Sequence, residues 1–491
     1  MAQATPTGTR GWRRLTVEPQ RPERISRLPG APWFVVATVC IGAFMGQLDA
    51  SIVTVAVPSI QHDLHAPLAS VEWVALVYLL VLVGTVSAVG RISDLVGRKL
   101  VYIYGFGVFT LASLGCALAP KMGWLIGARV VQALGAAMLQ ANSVALIRTS
   151  MPPGKLGKAI GLQGAAQAIG LALGPSIGGL LIGLGGWRWV FYVNLPAGAL
   201  GLLLGWFLLP RTLAFAPKSR FDWQGVLLLM PAVAAMLLAF SQAGSIGLVN
   251  PFVLGMLVVA VILGVVFVAN ENRSRSPLVD LLLFRAREFS LGTGTALLSY
   301  LVLFGILFVT PLFLESAYHL APAKAGLLLT ILPVSLALVA PVAGIMADRW
   351  GTRSLTTAGM ALTALGLLLL VFVPSTIRLI AVALALTGGG LGLFIPSNNS
   401  TIAGAGHEHQ AGMVSGVLNM TRGIGTSLGV AIAGGAYALA GGATETGALA
   451  LSGAGRGLHA AAALLAIFAL IAMGLSAANV HPQTKTQLRL R

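Results

Sequence analysis

The sequence predicts an all-helical polytopic membrane protein, and three observations lead there. Only 9% of the 491 residues are charged and 57% are hydrophobic, against roughly 25% charged in a typical soluble domain. The apolar residues lie in long continuous runs rather than ten-residue alternations, which selects helices over the strands of a membrane barrel. Fourteen such runs can be counted. Each approaches the roughly 20 residues that a helix rising about 1.5 Å per residue needs to cross about 30 Å of hydrocarbon.

The elements follow in order. Residues 1–32 are polar, basic and proline-containing, and read as a flexible cytoplasmic arm. The apolar run after it is too long for a signal-peptide core and lacks a small-residue cleavage site, so it is retained as span 1. Spans 1–6 are read at 33–58, 73–90, 100–119, 123–147, 157–184 and 189–209. Spans 7 and 8, at 223–241 and 251–270, fall in a linker region, 210–288. Spans 9–14 are read at 289–314, 324–347, 354–373, 378–402, 411–438 and 457–478. The chain thus divides into an arm (1–32), a six-span bundle (33–209), the linker region with two additional spans (210–288), a second six-span bundle (289–478) and a tail (479–491). Cys40 and Cys116 both sit inside apolar runs, give no disulfide framework or metal spacing, and read as packing.

An even number of spans puts both ends on one side. With the N-terminus inside, the inside segments hold 24 of the 31 lysines and arginines. The outside segments hold Lys121, Arg188, Lys324, Arg378 and Arg456, while Arg129 and Arg422 fall within spans. This is a positive-inside bias, and it predicts cytoplasmic termini. Basic loops facing anionic lipid also account for the net charge of +17, so no nucleic-acid partner is inferred.

The loop after span 2 reads GRISDLVGRK, Gly90 to Lys99, and the loop after span 10 reads GIMADRWGTR, Gly344 to Arg353. Gly90, Asp94 and Gly97 recur as Gly344, Asp348 and Gly351, at equal offsets and after the second span of each half. Spans 5 and 13, the fifth of each half, are both glycine-rich. Two six-span halves related by a repeat are transporter architecture, with the substrate site between the halves near the bilayer midplane.

GRISDLVGRK resembles the loop 2–3 motif of the major facilitator superfamily. RVVQALGAA, Arg129 to Ala137, resembles its span-4 motif, with Gln132 three residues after the arginine. GLALGPSIGG, Gly170 to Gly179, resembles its span-5 antiporter motif. LDASIVTVAVP (Leu48 to Pro58), WRWVFYVNLPAG (Trp187 to Gly198) and PLVDLLLFRAREF (Pro277 to Phe289) resemble segments of the fourteen-span drug:proton antiporters. The resemblance runs from about Trp33 to about Asn479. It implies two six-helix bundles plus two central helices, and multidrug efflux by proton antiport with a role in antibiotic resistance. It also implies a bacterial inner membrane location and a monomer whose partners are protons, a small amphipathic substrate and the bilayer.

Asp49 is a carboxylate inside span 1. A charge at membrane depth costs roughly 2.5–3.5 kcal/mol or more, so it faces a partner or cavity and marks function. A carboxylate buried alone holds its proton more tightly, as a proton carrier must. The competing reading is a permanent ion pair or a cap on a broken helix. Arg129 in span 4 is the electrostatic partner available in the same half; a proton on Asp49 would loosen the pair and bias two conformations. The resemblance implies a part in proton transfer for Arg129, against a static arginine bonded to backbone carbonyls. Arg422 in span 13 has no deep acid in its own half, where Glu315 lies at a span end and Glu445 in a loop. It either faces the cavity or snorkels between packed glycines.

Gly170, Gly174, Pro175, Gly178 and Gly179 permit close packing and a kink. The resemblance adds a leak-resistant gating role. The plain reading of Asp94, Arg98 and Lys99 is a solvated turn with positive-inside charges. The resemblance implies instead that Asp94 and Arg98, with Gly90, Gly97 and Asp348, form a latch that holds the outward-open state. Glu72 after Ser70 reads as a capped helix start. His62, His65, His407 and His409 read as loop histidines, with no metal site.

Three function classes compete: a proton-driven exporter of amphipathic drugs, an exporter or flippase of an endogenous metabolite or lipid, and a polytopic membrane enzyme. No HExxH and no Ser/His/Asp cluster supports the enzyme, and no GxxxxGK[ST] loop supports ATP drive within the chain. No cofactor is implied.

Overall fold

The computed structural model describes residues 18–478, apart from 67, 153, 213–221, 248, 275–276, 321, 373–375, 406–409 and 443–447. Fourteen membrane-length elements follow the sequence runs. The first half comprises α1 (Ala31–Asp63), α2 (Leu68–Val96), α3 (Arg98–Ala117), α4 (Met122–Ser150), α5 (Leu156–Gly185) and α6 (Asn194–Leu208). Next come α7 (Trp223–Ile246) and α8 (Pro251–Glu271). The second half comprises α9 (Arg287–Tyr318), α10 (Pro322–Leu329 continued by Ile331–Trp350), α11 (Thr352–Phe372), α12 (Ile377–Ala405), α13 (Ala411–Tyr437) and α14 (Ala448–Ala478). Thirteen of these are long and apolar enough to cross a membrane as single helices. The fourteenth, α5, passes as a bent pair, Leu156–Gly174 and Ser176–Gly185, at 45°. The break is at Pro175, which offers no N–H to the helix ladder.

The packing repeats with the sequence. Within the first half α1 packs on α5, α2 on α4, α3 on α4 and α3 on α6; within the second, α9 packs on α13, α10 on α12, α11 on α12 and α11 on α14. The result is two six-helix bundles. They meet through the fifth helix of each: α5 lies against α10, and α13 against α2. Helix α7 crosses this seam, touching both α2 and α13. Helix α8 packs on α7, and most of its residues are exposed.

The glycine–aspartate–glycine spacing has a geometric basis. Gly97 ends α2 at φ 123° and Gly351 ends α10 at φ 82°. Both conformations are open to glycine and costly for residues with a Cβ. Each lets the next helix start within a residue or two, so the motif is a helix–helix corner rather than a loop. Seven residues, about two turns, back, Gly90 and Gly344 face the opposite half. A Cβ on Gly90 would run into the carbonyl oxygen of Gly412, and one on Gly344 into that of Gly157.

Two readings of the chain's polar segments change. Residues 18–30 are not a free arm. Glu18 is buried and accepts hydrogen bonds from the Lys99 and Thr212 backbone N–H groups, at 3.2 and 2.6 Å, and from the Thr212 hydroxyl. Lys99 is not a solvated charge. It is buried, and its Nζ donates to the carbonyls of Pro19 (2.9 Å) and Leu209 (2.6 Å). Burying an ammonium requires such bonds, and charge sign alone does not reveal them. Residues 1–17, His407, His409, Glu445 and the tail 479–491 lie outside the described residues.

Candidate functional site

Asp49 and Arg129 are brought together. The Arg129 Nη1 donates to Asp49 Oδ2 at 2.7 Å, and both side chains are almost fully buried, at 0% and 1% exposed. Two neutral amides complete the site. Gln132 Nε2, one turn after Arg129, donates to Asp49 Oδ1 at 2.9 Å, and Asn194 Nδ2 at the start of α6 donates to the same oxygen at 2.8 Å. Arg129 also donates from Nε to the Val74 carbonyl (2.9 Å) and from Nη1 to Gln132 Oε1 (2.6 Å). Its guanidinium lies 4.2 Å from the centroid of the Tyr78 ring. Gln132 Nε2 donates further to Ser113 Oγ at 2.8 Å. Arg129 lies seven residues into α4, about 10 Å from that helix's end. Breaking a pair buried this deeply costs about 3–5 kcal/mol.

Gln132 stood in a quoted motif without a role, Tyr78 reads from the sequence as an interface anchor or cavity wall, and Asn194 and Ser113 were not singled out. The available signal for Asn194 is a lone amide in the apolar run WVFYVNLPAG. A polar group at that depth needs a partner. The Tyr78 hydroxyl is buried with no hydrogen-bond partner among the described residues.

The two copies of the glycine–aspartate motif form two matching contacts between the halves. Asp94 accepts from the backbone N–H groups of Gly412 and Met413, at 2.9 Å each, at the first turn of α13. Arg98 holds the same carboxylate from Nε at 2.9 Å and Nη2 at 2.8 Å. Asp348 accepts from the N–H groups of Gly157 and Lys158, at 2.8 and 3.0 Å, at the first turn of α5. Each aspartate therefore meets the positive end of a helix in the other half. These contacts lie at the face carrying the 2–3 and 10–11 connections, which is shut in this structure.

The span-5 glycines face α1. Gly170 lies against the Phe44 carbonyl, Gly174 against Ser51, and Gly178 against Ile52; Ser51 Oγ donates to the Leu171 carbonyl at 2.9 Å. Gly179 is different, because nothing lies within 4 Å of where its Cβ would be. Helix α5 thus links α1, the helix that carries Asp49, on one side to α10 of the other half on its second.

Beyond the shut face lies a narrow cleft between the halves, with Gln47, Gln167, Tyr300, Phe304, Leu336 and Arg422 in its wall. Arg422 is ten residues into α13 from Met413's turn, and Gln167 ten residues into α5 from Gly157. Both stand about 15 Å from the shut face, near the middle of a 30 Å layer. Arg422 faces the cleft rather than snorkelling. Its Nη1 donates to Gln167 Oε1 at 2.8 Å, and its guanidinium lies 5.3 Å from the Tyr300 ring centroid.

The family model described as Major Facilitator Superfamily matches residues 39–292 and 292–490. The chain belongs to the major facilitator superfamily. Its family and fold are those of transporters, which carry small molecules across a membrane. Among major facilitator relatives it is 36% identical to multidrug resistance protein Stp of Mycobacterium tuberculosis, over 80% of this chain and 74% of that protein. It is 32% identical to riboflavin transporter RibZ of Clostridioides difficile, over 81% of this chain and 87% of that one. The human organic anion transporter MFSD10 (TETRAN) has the same fold, with a TM-score of 0.66 at 17% identity, over 92% of this chain and all of that one.

Proposed function

We propose that this chain is a proton-coupled secondary exporter of amphipathic drugs or toxic organic compounds, working by alternating access in a bacterial cytoplasmic membrane. The observation that carries the reading is the Asp49–Arg129 pair: one acid on α1, buried at membrane depth, with its three donors supplied by α4 and α6 of the same half. With the termini cytoplasmic, as the basic loops indicate, the shut face is the inner one and the structure is outward-facing.

In this scheme Asp49 is ionised in the paired state. A proton arriving from outside neutralises it and releases the hold on Arg129. Helices α1, α4 and α6 then relax relative to one another. Helix α5 carries the shift to α10, because its glycines lock onto α1 and its first turn onto Asp348. The Asp94 and Asp348 contacts part, the inner face opens, and the proton leaves. Each 100 mV of membrane potential contributes about 2.3 kcal/mol per charge moved. Division into residues 33–209 and 289–478 as the two moving bodies, and a monomeric unit, belong to the same proposal, in which the chain catalyses no chemical reaction.

A second reading is export of an endogenous metabolite, favoured by the likeness to a protein named for riboflavin transport. The experiment is reconstitution into liposomes with an imposed pH gradient and amphipathic dyes of either charge. Gradient-driven movement abolished by an uncoupler supports proton-coupled drug export. Movement of riboflavin-like metabolites alone, again gradient-driven, transfers the assignment to the second reading.

A further inference from the structure

We propose that the cleft between the halves binds planar amphipathic molecules carrying a carboxylate or phenolate charge, and discriminates against lipophilic cations. This rests on the transport reading and specifies its substrate class.

The cleft wall carries one kind of charge. Arg422 is half-buried at its centre. The other polar side chains that line it and its continuation toward the shut face are neutral, among them Gln47, Gln163, Gln167 and Asn399. No acid lines either part among the described residues. The acid embedded in the same half as Gln47, Asp49, is fully buried and already holds three donors. It is not among the residues that line the cleft.

A cation entering this space meets an uncompensated like charge in a setting that screens poorly. An anion meets a guanidinium with five N–H donors, of which Nη1 is committed to Gln167. Gln167 and the Tyr300 ring fix the plane of that guanidinium, so the remaining donors are pre-aimed. A planar fork of donors matches a carboxylate or phenolate better than it matches a neutral carbonyl. Tyr300 and Phe304, with Leu336, supply an apolar and partly aromatic wall for a ring system.

The charge balance of the cycle agrees. Exchange of one proton inward for a monovalent cation outward moves no net charge and draws only on the pH difference. Exchange of one proton inward for a monovalent anion outward moves two charges in the direction the inside-negative potential favours. A single coupling carboxylate, with no second deep acid in the other half, is then sufficient drive for an anion.

The test is direct binding to the purified full-length protein in detergent, by fluorescence anisotropy, with two dyes of one ring system: anionic fluorescein and cationic rhodamine 6G. Wild type should bind fluorescein at least about tenfold more tightly, the scale of one charged hydrogen bond. Arg422→Lys should keep the preference, Arg422→Gln should abolish it, and Arg422→Glu should reverse it. Equal affinities in wild type, a preference for rhodamine 6G, no saturable binding of either dye, or a preference that survives Arg422→Gln would each overturn the proposal. No gradient is present in this assay. A failure here leaves proton-coupled transport standing, and a failure of gradient-driven transport leaves the binding result standing.

Discussion

Replacing Asp94 by asparagine removes charge from one of the two contacts between the halves at the shut face. The carboxylate accepts two backbone N–H groups from α13 and the Arg98 guanidinium. Each hydrogen bond to a charged acceptor contributes about 1.5–3 kcal/mol. Asparagine keeps one acceptor oxygen, so it loses about one such bond across the seam and leaves Arg98 less compensated. The shut state should lose about 2 kcal/mol relative to the open one, roughly a thirtyfold change in their ratio. Asp348→Asn should act similarly from the second copy. The two sites share no partner, so their effects should add to about 4 kcal/mol, near a thousandfold. The assay is double electron–electron resonance between spin labels at Lys155 and Arg349, exposed positions on opposite halves, with Cys40 and Cys116 replaced by alanine. Wild type should show one short distance, Asp94→Asn a second longer population, and the double variant mainly the longer one. An unchanged distance distribution in the double variant would refute the latch reasoning.

Further outcomes test other parts of the structure. Gly90→Val places a side chain against the Gly412 carbonyl, so it should prevent closure and reduce transport at least tenfold while surface yield stays near wild type, as membrane-fraction blotting would show. Arg129→Leu should lower thermal stability by about 3–5 kcal/mol, because it leaves Asp49 buried without its cation; Asp49→Asn combined with Arg129→Gln should recover most of that loss but no coupled transport. On the opposite face, Asp63 accepts from Trp187 Nε1 at 2.8 Å and from Arg188. Those donors hold its carboxyl below the usual carboxylate range. Its folded value is depressed, so the stability it adds is complete above about pH 4 and fades as pH falls further. The melting-temperature gap between wild type and Asp63→Asn should therefore be constant at neutral pH and shrink only under acid conditions.

The span pattern was legible because apolar runs of membrane length have few alternatives, and the bend in α5 because Pro175 cannot complete the ladder. Asp49 and Arg129 were legible because charges at that depth are rare. Their neutral partners were not: Gln132 and Asn194 owe their place to three helices that meet only in the folded bundle. Lys99 looked like any basic residue beside a membrane, and its burial depends on Glu18, Pro19 and Leu209 closing over it from distant parts of the chain. The motif spacing located Asp94 and Asp348, but the helix ends they meet lie 318 and 191 residues away along the chain. The direction of Arg422 likewise depends on α5 and α9, which sequence order alone does not put beside α13.

Asp49 is the proposed site where proton movement becomes conformational change. The measurement that tests it most directly is gradient-driven dye transport in proteoliposomes, wild type against Asp49→Asn, with binding of the same dye measured on both proteins. The prediction is that the variant still binds dye and no longer responds to the pH gradient. Gradient-driven transport by Asp49→Asn at the wild-type rate would contradict the central claim and put the proton path elsewhere in the protein.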